Sequence, residues 1–105
     1  MFFLREPSAA DLYLMLGYNL SVPPYVRQAL FSRSFDNDDL LPNIHKPVLI
    51  THGAHDAIVK PAVVDQHKAS LAHAQLHVLA NTGHAPFWDD TAIFNRRLRA
   101  FSESL

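Results

Sequence analysis

The sequence predicts an α/β fold, and three observations carry that prediction. Two short apolar runs, Val48-Leu49-Ile50-Thr51 and Leu76-His77-Val78-Leu79-Ala80, have the length and the β-branched content of buried strands. The segment between them opens at Pro61 and keeps a helical period to about Leu71. Each apolar run breaks into a loop containing a glycine, Gly53 in the first and Gly83 in the second. Strand, helix and strand make a βαβ unit, which requires parallel strands and a right-handed crossover.

The flanking elements follow from local signals. Ser8-Ala9-Ala10-Asp11 has the form of a capping box, opening a short helix with Leu12, Leu14, Met15 and Leu16 that can end at Gly17. Such an apolar helix needs cover on most sides, and little in the first forty or so residues supplies it. Ser21-Val22-Pro23-Pro24 turns into a second helix, with Tyr25, Val26, Ala29 and Leu30 as its apolar stripe. Ser34 to Pro42 is an acidic connector. Its Asp36-Asn37-Asp38-Asp39 run lacks the glycine and terminal glutamate of a calcium loop and reads as solvated loop or helix cap. In the crossover helix Val63, Val64, His67 and Leu71 are expected on the inner face. Asp89 or Asp90 can cap a last helix that turns Ile93, Phe94, Leu98 and Phe101 inward, with Arg96, Arg97 and Arg99 mostly outward.

Composition narrows the function classes. The 105 residues are 49% hydrophobic and 18% charged, too apolar for a disordered chain and suited to one small domain or a piece of a larger one. Nine basic and ten acidic side chains leave a formal charge of −1, which gives no electrostatic reason to expect nucleic acid or an anionic membrane as partner. Without cysteine there are no disulfides, thiolate metal sites or thiol nucleophile. The opening Met1-Phe2-Phe3-Leu4 run is far shorter than a signal-peptide core, and no stretch approaches the roughly 20 apolar residues of a membrane span. A cytoplasmic location is therefore expected.

Two strands do not close a fold. Both read as apolar enough to be buried on both faces, and parallel strands of that kind sit inside larger sheets covered by helices. A two-stranded unit leaves an edge that can template pairing. The chain is expected to be part of a larger α/β domain, or half of an assembly.

The two strand-end loops carry the chemistry. Asp56 follows Gly53 and His84 follows Gly83, and in open parallel sheets function gathers at the carboxyl ends of strands. An acid and a histidine on adjacent loops are what an acyl-transfer enzyme needs to activate a serine. Taken singly, Asp56 could simply make an Asx turn and His84 could bond to backbone. Their joint placement, acid first and then histidine with a strand and helix between, favours the catalytic pair.

Pro47-Val48-Leu49-Ile50-Thr51-His52-Gly53-Ala54-His55-Asp56-Ala57-Ile58-Val59 and Asn81-Thr82-Gly83-His84-Ala85-Pro86-Phe87-Trp88 resemble the acid and histidine motifs of the α/β-hydrolase superfamily. Val26 to Ile44 is similar to the end of that family's lid and its linker, so the resemblance covers roughly residues 24–101. It implies the C-terminal part of an α/β-hydrolase fold with an incomplete sheet. Residues 1–43 would be a mostly helical lid remnant and linker, and residues 44–105 the core segment. It further implies Asp56 as triad acid, His84 as general base, an ester or related acyl or carbon–carbon bond as substrate, and no cofactor.

One departure from the family pattern limits that reading. Gly17, Gly53 and Gly83 are the only glycines, so the family's Gly-x-Ser-x-Gly nucleophile elbow is absent, as is its oxyanion segment. The chain is expected to be inactive alone. The alternative is a non-catalytic remnant or interaction module that pairs, perhaps with itself, through its exposed sheet edge.

Other candidates read more plainly. His52-Gly53-Ala54-His55-Asp56 gathers three potential zinc ligands, but lacks the helical spacing that places ligands on one face, and no metal site is expected. His45, His67, His73 and His77 are scattered and are expected at the surface or edge. Phe87 and Trp88 are expected to seat the last helix rather than line an acyl pocket, and Leu12–Leu16 to belong to the lid and line the substrate entrance.

Overall fold

A computed structural model describes residues 2–35 and 39–105. The chain forms two compact units, Glu6–Asn37, and Met1–Arg5 together with Asp38–Leu105. The acidic run lies outside the described residues except for Asp39, whose carbonyl accepts the Asn43 side-chain amide at 2.8 Å.

The smaller unit is a pair of helices. Helix α1 spans Ala9–Leu20 and helix α2 spans Pro24–Phe31. Ser8 caps α1, its Oγ accepting the Asp11 N–H at 3.2 Å and donating to the Asp11 carboxylate at 2.7 Å. The helix does not end at Gly17. No glycine in the described chain has positive φ, so Gly17 cannot supply the left-handed cap, and the helix runs on until Ser21-Val22-Pro23. There Pro23 offers no N–H and disfavours a helical Val22. Neither helix contains a buried residue.

The larger unit holds the βαβ element. Strand β1 spans Leu49–Gly53, helix α3 Pro61–Ser70 and strand β2 Gln75–Leu79. The strands pair in parallel, from Leu49 opposite Gln75 to Gly53 opposite Leu79. Helix α3 buries Val64 and, just past its end, Leu71. Val63 and His67 face outward instead, because the covered stripe passes through Val64, the half-buried Lys68 and Leu71. The Lys68 ammonium donates to the Ala72 and Ala74 carbonyls at 2.7 and 2.6 Å, closing the turn into β2.

The strands are not buried on both faces. Val78 is 54% exposed, and only the carboxyl ends, His52, Gly53 and Leu79, are fully covered. Among the described residues each strand has only the other as its neighbour in the sheet. A short helix α4, Pro86–Asp89, and the final helix α5, Thr91–Glu103, complete the unit. Helix α5 packs against β1 and α4, with the Phe87 and Phe94 rings edge to face at 6.1 Å. Ile93, Phe94 and Phe101 are half-buried, whereas Leu98 is exposed. Asp90 caps α5, accepting the Ile93 N–H at 3.1 Å; Asp89 is used elsewhere.

No described helix is long and apolar enough to cross a membrane.

Candidate active site

Backbone bonds stitch together the loops that leave the two strands. The Ala54 N–H donates to the Leu79 carbonyl at 2.9 Å and the His55 N–H to the Thr82 carbonyl at 3.0 Å. Thr82 is buried, and its hydroxyl donates back to the Leu79 carbonyl at 3.1 Å. The approach is close enough that Gly53 must lack a side chain. A Cβ there would stand 2.0 Å from the Gly83 oxygen and 2.6 Å from the Thr82 oxygen. The glycine in each strand-end motif is thus half of one backbone contact.

This contact sets Asp56 beside His84. The two are 28 residues apart in sequence, and the His84 Nδ1 lies 2.9 Å from the Asp56 Oδ2. An ionised carboxylate only accepts, so Nδ1 carries a proton, and in the neutral ring Nε2 then keeps its lone pair. The other Asp56 oxygen, Oδ1, accepts the Ile58 and Val59 N–H groups at 2.8 and 2.9 Å. Both carboxylate oxygens are therefore engaged, and the side chain is 4% exposed. Burial works to raise the Asp56 pKa, but the Val59 N–H, the His84 ring and the Ile58 N–H outweigh it and hold the carboxyl below its usual range. The His84 side chain stays 28% exposed.

A second histidine approaches the same acid. The His52 Nδ1 is 3.7 Å from the Asp56 Oδ2, too long for a hydrogen bond. His52 Nε2 and His77 Nδ1 are buried with no hydrogen-bond partner among the described residues. His55 is exposed, and no group of three or more described His, Asp or Glu side chains is arranged to hold a metal.

Sequence reasoning missed the surroundings of His84. The segment Phe2–Arg5 runs alongside it. The Phe2 carbonyl accepts the His84 N–H at 3.1 Å, and the Phe2 ring meets the imidazole edge to face at 4.7 Å between centroids. Asp89, expected only as a possible helix cap, is 1% exposed and accepts N–H groups from Gly83 at 2.7 Å and from Leu4 and Arg5 at 3.1 Å. Burial pushes its pKa up, and the Gly83, Arg5 and Leu4 N–H groups more than offset this, leaving it below the usual carboxylate range. The one available signal was the Asp89-Asp90 doublet, since a helix N-terminus uses a single cap.

Residues 5–91 match a family described as the alpha/beta hydrolase fold. An esterase from Rhodococcus sp. ECU1013, RhEst1, is 34% identical over 93% of this chain and superposes with a TM-score of 0.86, the match covering 36% of that protein. A candidate aryl esterase from Burkholderia cenocepacia is 28% identical over 98% of this chain and 38% of its own, with a TM-score of 0.87. An esterase from Exiguobacterium antarcticum is 26% identical over 97% of this chain and 39% of its own, with a TM-score of 0.77. No curated protein matches the chain. The chain spans a little over a third of the length of these esterases. It belongs to the α/β-hydrolase family.

Proposed function

We propose that this chain supplies the acid and the base of a Ser-His-Asp triad that hydrolyses esters or related acyl or carbon–carbon bonds. The observation that carries the reading is the 2.9 Å bond from His84 Nδ1–H to an Asp56 whose second oxygen is fixed by two backbone N–H groups. The esterase descriptions of the structural relatives favour an ester substrate. Residues 1–43, with the α1–α2 pair, serve as lid and linker in this reading, and residues 44–105 as core.

The chemistry follows from the tautomer. His84 Nε2 takes the hydroxyl proton as a serine Oγ bonds to the ester carbonyl carbon. The imidazolium so formed is stabilised by Asp56 and returns its proton to the departing alcohol oxygen as the carbon–oxygen bond breaks. Water then repeats the sequence on the acyl-serine, releasing the acid. The serine belongs to residues outside this sequence, because no Gly-x-Ser-x-Gly elbow occurs in it.

The test joins the chain to the upstream part of a related esterase, which carries such an elbow, and assays a simple aryl ester. The 105-residue chain alone should show no turnover above buffer. The joined protein should be active and should lose on the order of 10⁴ in kcat on His84→Ala or Asp56→Asn. Turnover by the chain alone that disappeared with His84→Ala would mean it has its own nucleophile. An active joined protein indifferent to His84→Ala would remove His84 from the chemistry.

The two-stranded sheet favours a second reading, a non-catalytic module that pairs through its free strand edge. A strictly monomeric chain in sedimentation across a wide concentration range would rule that out.

A further inference from the structure

We infer that Asp89 is a positioning residue for His84, acting through the backbone it holds and through the Phe2 ring carried on that backbone; the inference rests on the assignment of His84 as base. A buried carboxylate is costly unless its acceptor capacity is filled. All the hydrogen bonds that fill Asp89 come from main-chain N–H groups, and they converge on the two segments that enclose His84. One comes from Gly83, the residue immediately before the histidine. The others come from Leu4 and Arg5, in the segment that meets the histidine itself.

The consequence for the imidazole is geometric. Its Nδ1 bond to Asp56 fixes one atom of the ring and leaves the ring able to rock about that atom. Two further constraints come from the Phe2 segment: the Phe2 carbonyl holds the His84 N–H, and the Phe2 ring lies against the imidazole edge. A general base has to be held to within roughly 0.5 Å and 10–20° of its productive geometry, and the His84 ring is still 28% exposed. Asp89 ties the preceding backbone and the Phe2 segment to each other, so the histidine is gripped from its own chain and from a segment distant in sequence. A helix-capping aspartate would do none of this, and Asp90 already caps α5.

The test is NMR on the isotope-labelled 105-residue chain, comparing wild type with Asp89→Asn, Asp89→Glu and Phe2→Ala. In the wild type the Gly83, Leu4 and Arg5 amide protons should shift together with pH as Asp89 is protonated. The ring nitrogens of neutral His84 should report the Nδ1–H tautomer alone. Asp89→Asn should abolish the shared amide titration, move the His84 nitrogens toward the mixed-tautomer values of free imidazole and remove the Phe2–His84 ring NOE. Asp89→Glu should restore part of each. Phe2→Ala should keep the amide titration and still loosen the ring. If Asp89→Asn abolished the amide titration but left the His84 tautomer and the NOE unchanged, Asp89 would be a structural fastener and the inference would fail. Should that variant not fold, a folded Phe2→Ala chain with an unchanged His84 tautomer would overturn it equally. Mixed tautomers already in the wild type would instead count against the Asp56–His84 pair and the proposed function. The positioning role would then be decided by whether Asp89→Asn removes the NOE.

Discussion

The loops after β1 and β2 and the helical pair α1–α2 are both built largely from small and apolar residues, yet they differ in what completes them. Around the loops, Gly53, Thr82, Gly83 and Asp89 are buried, and the bonds that hold them include long-range ones, from the His55 N–H to the Thr82 carbonyl and from the Leu4 N–H to the Asp89 carboxylate. In the helical pair no residue is buried, and Leu12, Leu14, Leu16, Leu20 and Phe31 stand exposed. A helix can form on a cap and a first-turn proline without revealing what it touches. The loop pair exists only through its long-range contacts. Sensitivity to substitution should therefore be concentrated in the loops, although both regions carry family resemblance.

The sharpest way to break that contrast uses Gly53. Gly53→Ala drives a methyl group against the Gly83 and Thr82 oxygens, which are backbone and cannot swing aside. We expect a loss of about 3 kcal/mol in urea unfolding and disappearance of the downfield His84 Nδ1–H resonance. A fully stable Gly53→Ala chain that kept this resonance would show that the loops meet less closely than described.

An intermediate effect should come from acid. Asp56 and Asp89 both have folded-state pKa values below the ordinary carboxylate range. Depressed values contribute stability that is fully present above the unfolded carboxyl pKa of about 3.9 and is lost as pH falls through the folded values. The urea midpoint of the larger unit should therefore drop as pH is lowered below about 4, and the drop should be shallower in Asp89→Asn. Equal acid slopes in the two proteins would remove Asp89 from the account.

The smallest effect should have the opposite sign. Gly17 sits inside α1 with nothing within 4 Å of a built Cβ. Gly17→Ala should therefore raise stability by up to about 1 kcal/mol, readable as increased helicity and a higher Tm. A destabilised Gly17→Ala chain would mean that α1 has close neighbours and that the contrast between the two regions is overstated.

These contrasts also explain what the sequence could disclose. Parallel β1 and β2, the crossover helix and the glycine loops were legible because apolar β-branched runs and glycine breaks are local signals. The end of α1 was misread because glycine marks a helix stop only when it adopts positive φ, and the choice at Gly17 was made by Pro23 six residues later. In α3 a one-position shift of the covered stripe exposed Val63 and His67, since the inner face is set by what the helix packs on. At the candidate site, the acid and histidine loops were readable, but the Phe2 contact and the use of Asp89 were not. Their partners lie more than eighty residues apart, and no periodicity links them.

The Asp89 contact also orders events in time. It joins residues 85 positions apart, against 28 for Asp56 and His84, and closing a loop about three times longer costs about 1 kcal/mol more in chain entropy. The longer closure is rewarded late in folding and surrendered early when the unit opens. As the larger unit breathes, His84 should lose its aromatic neighbour before it loses its acid, so a half-open molecule keeps the Asp56–His84 hydrogen bond with one flank of the ring bared to water.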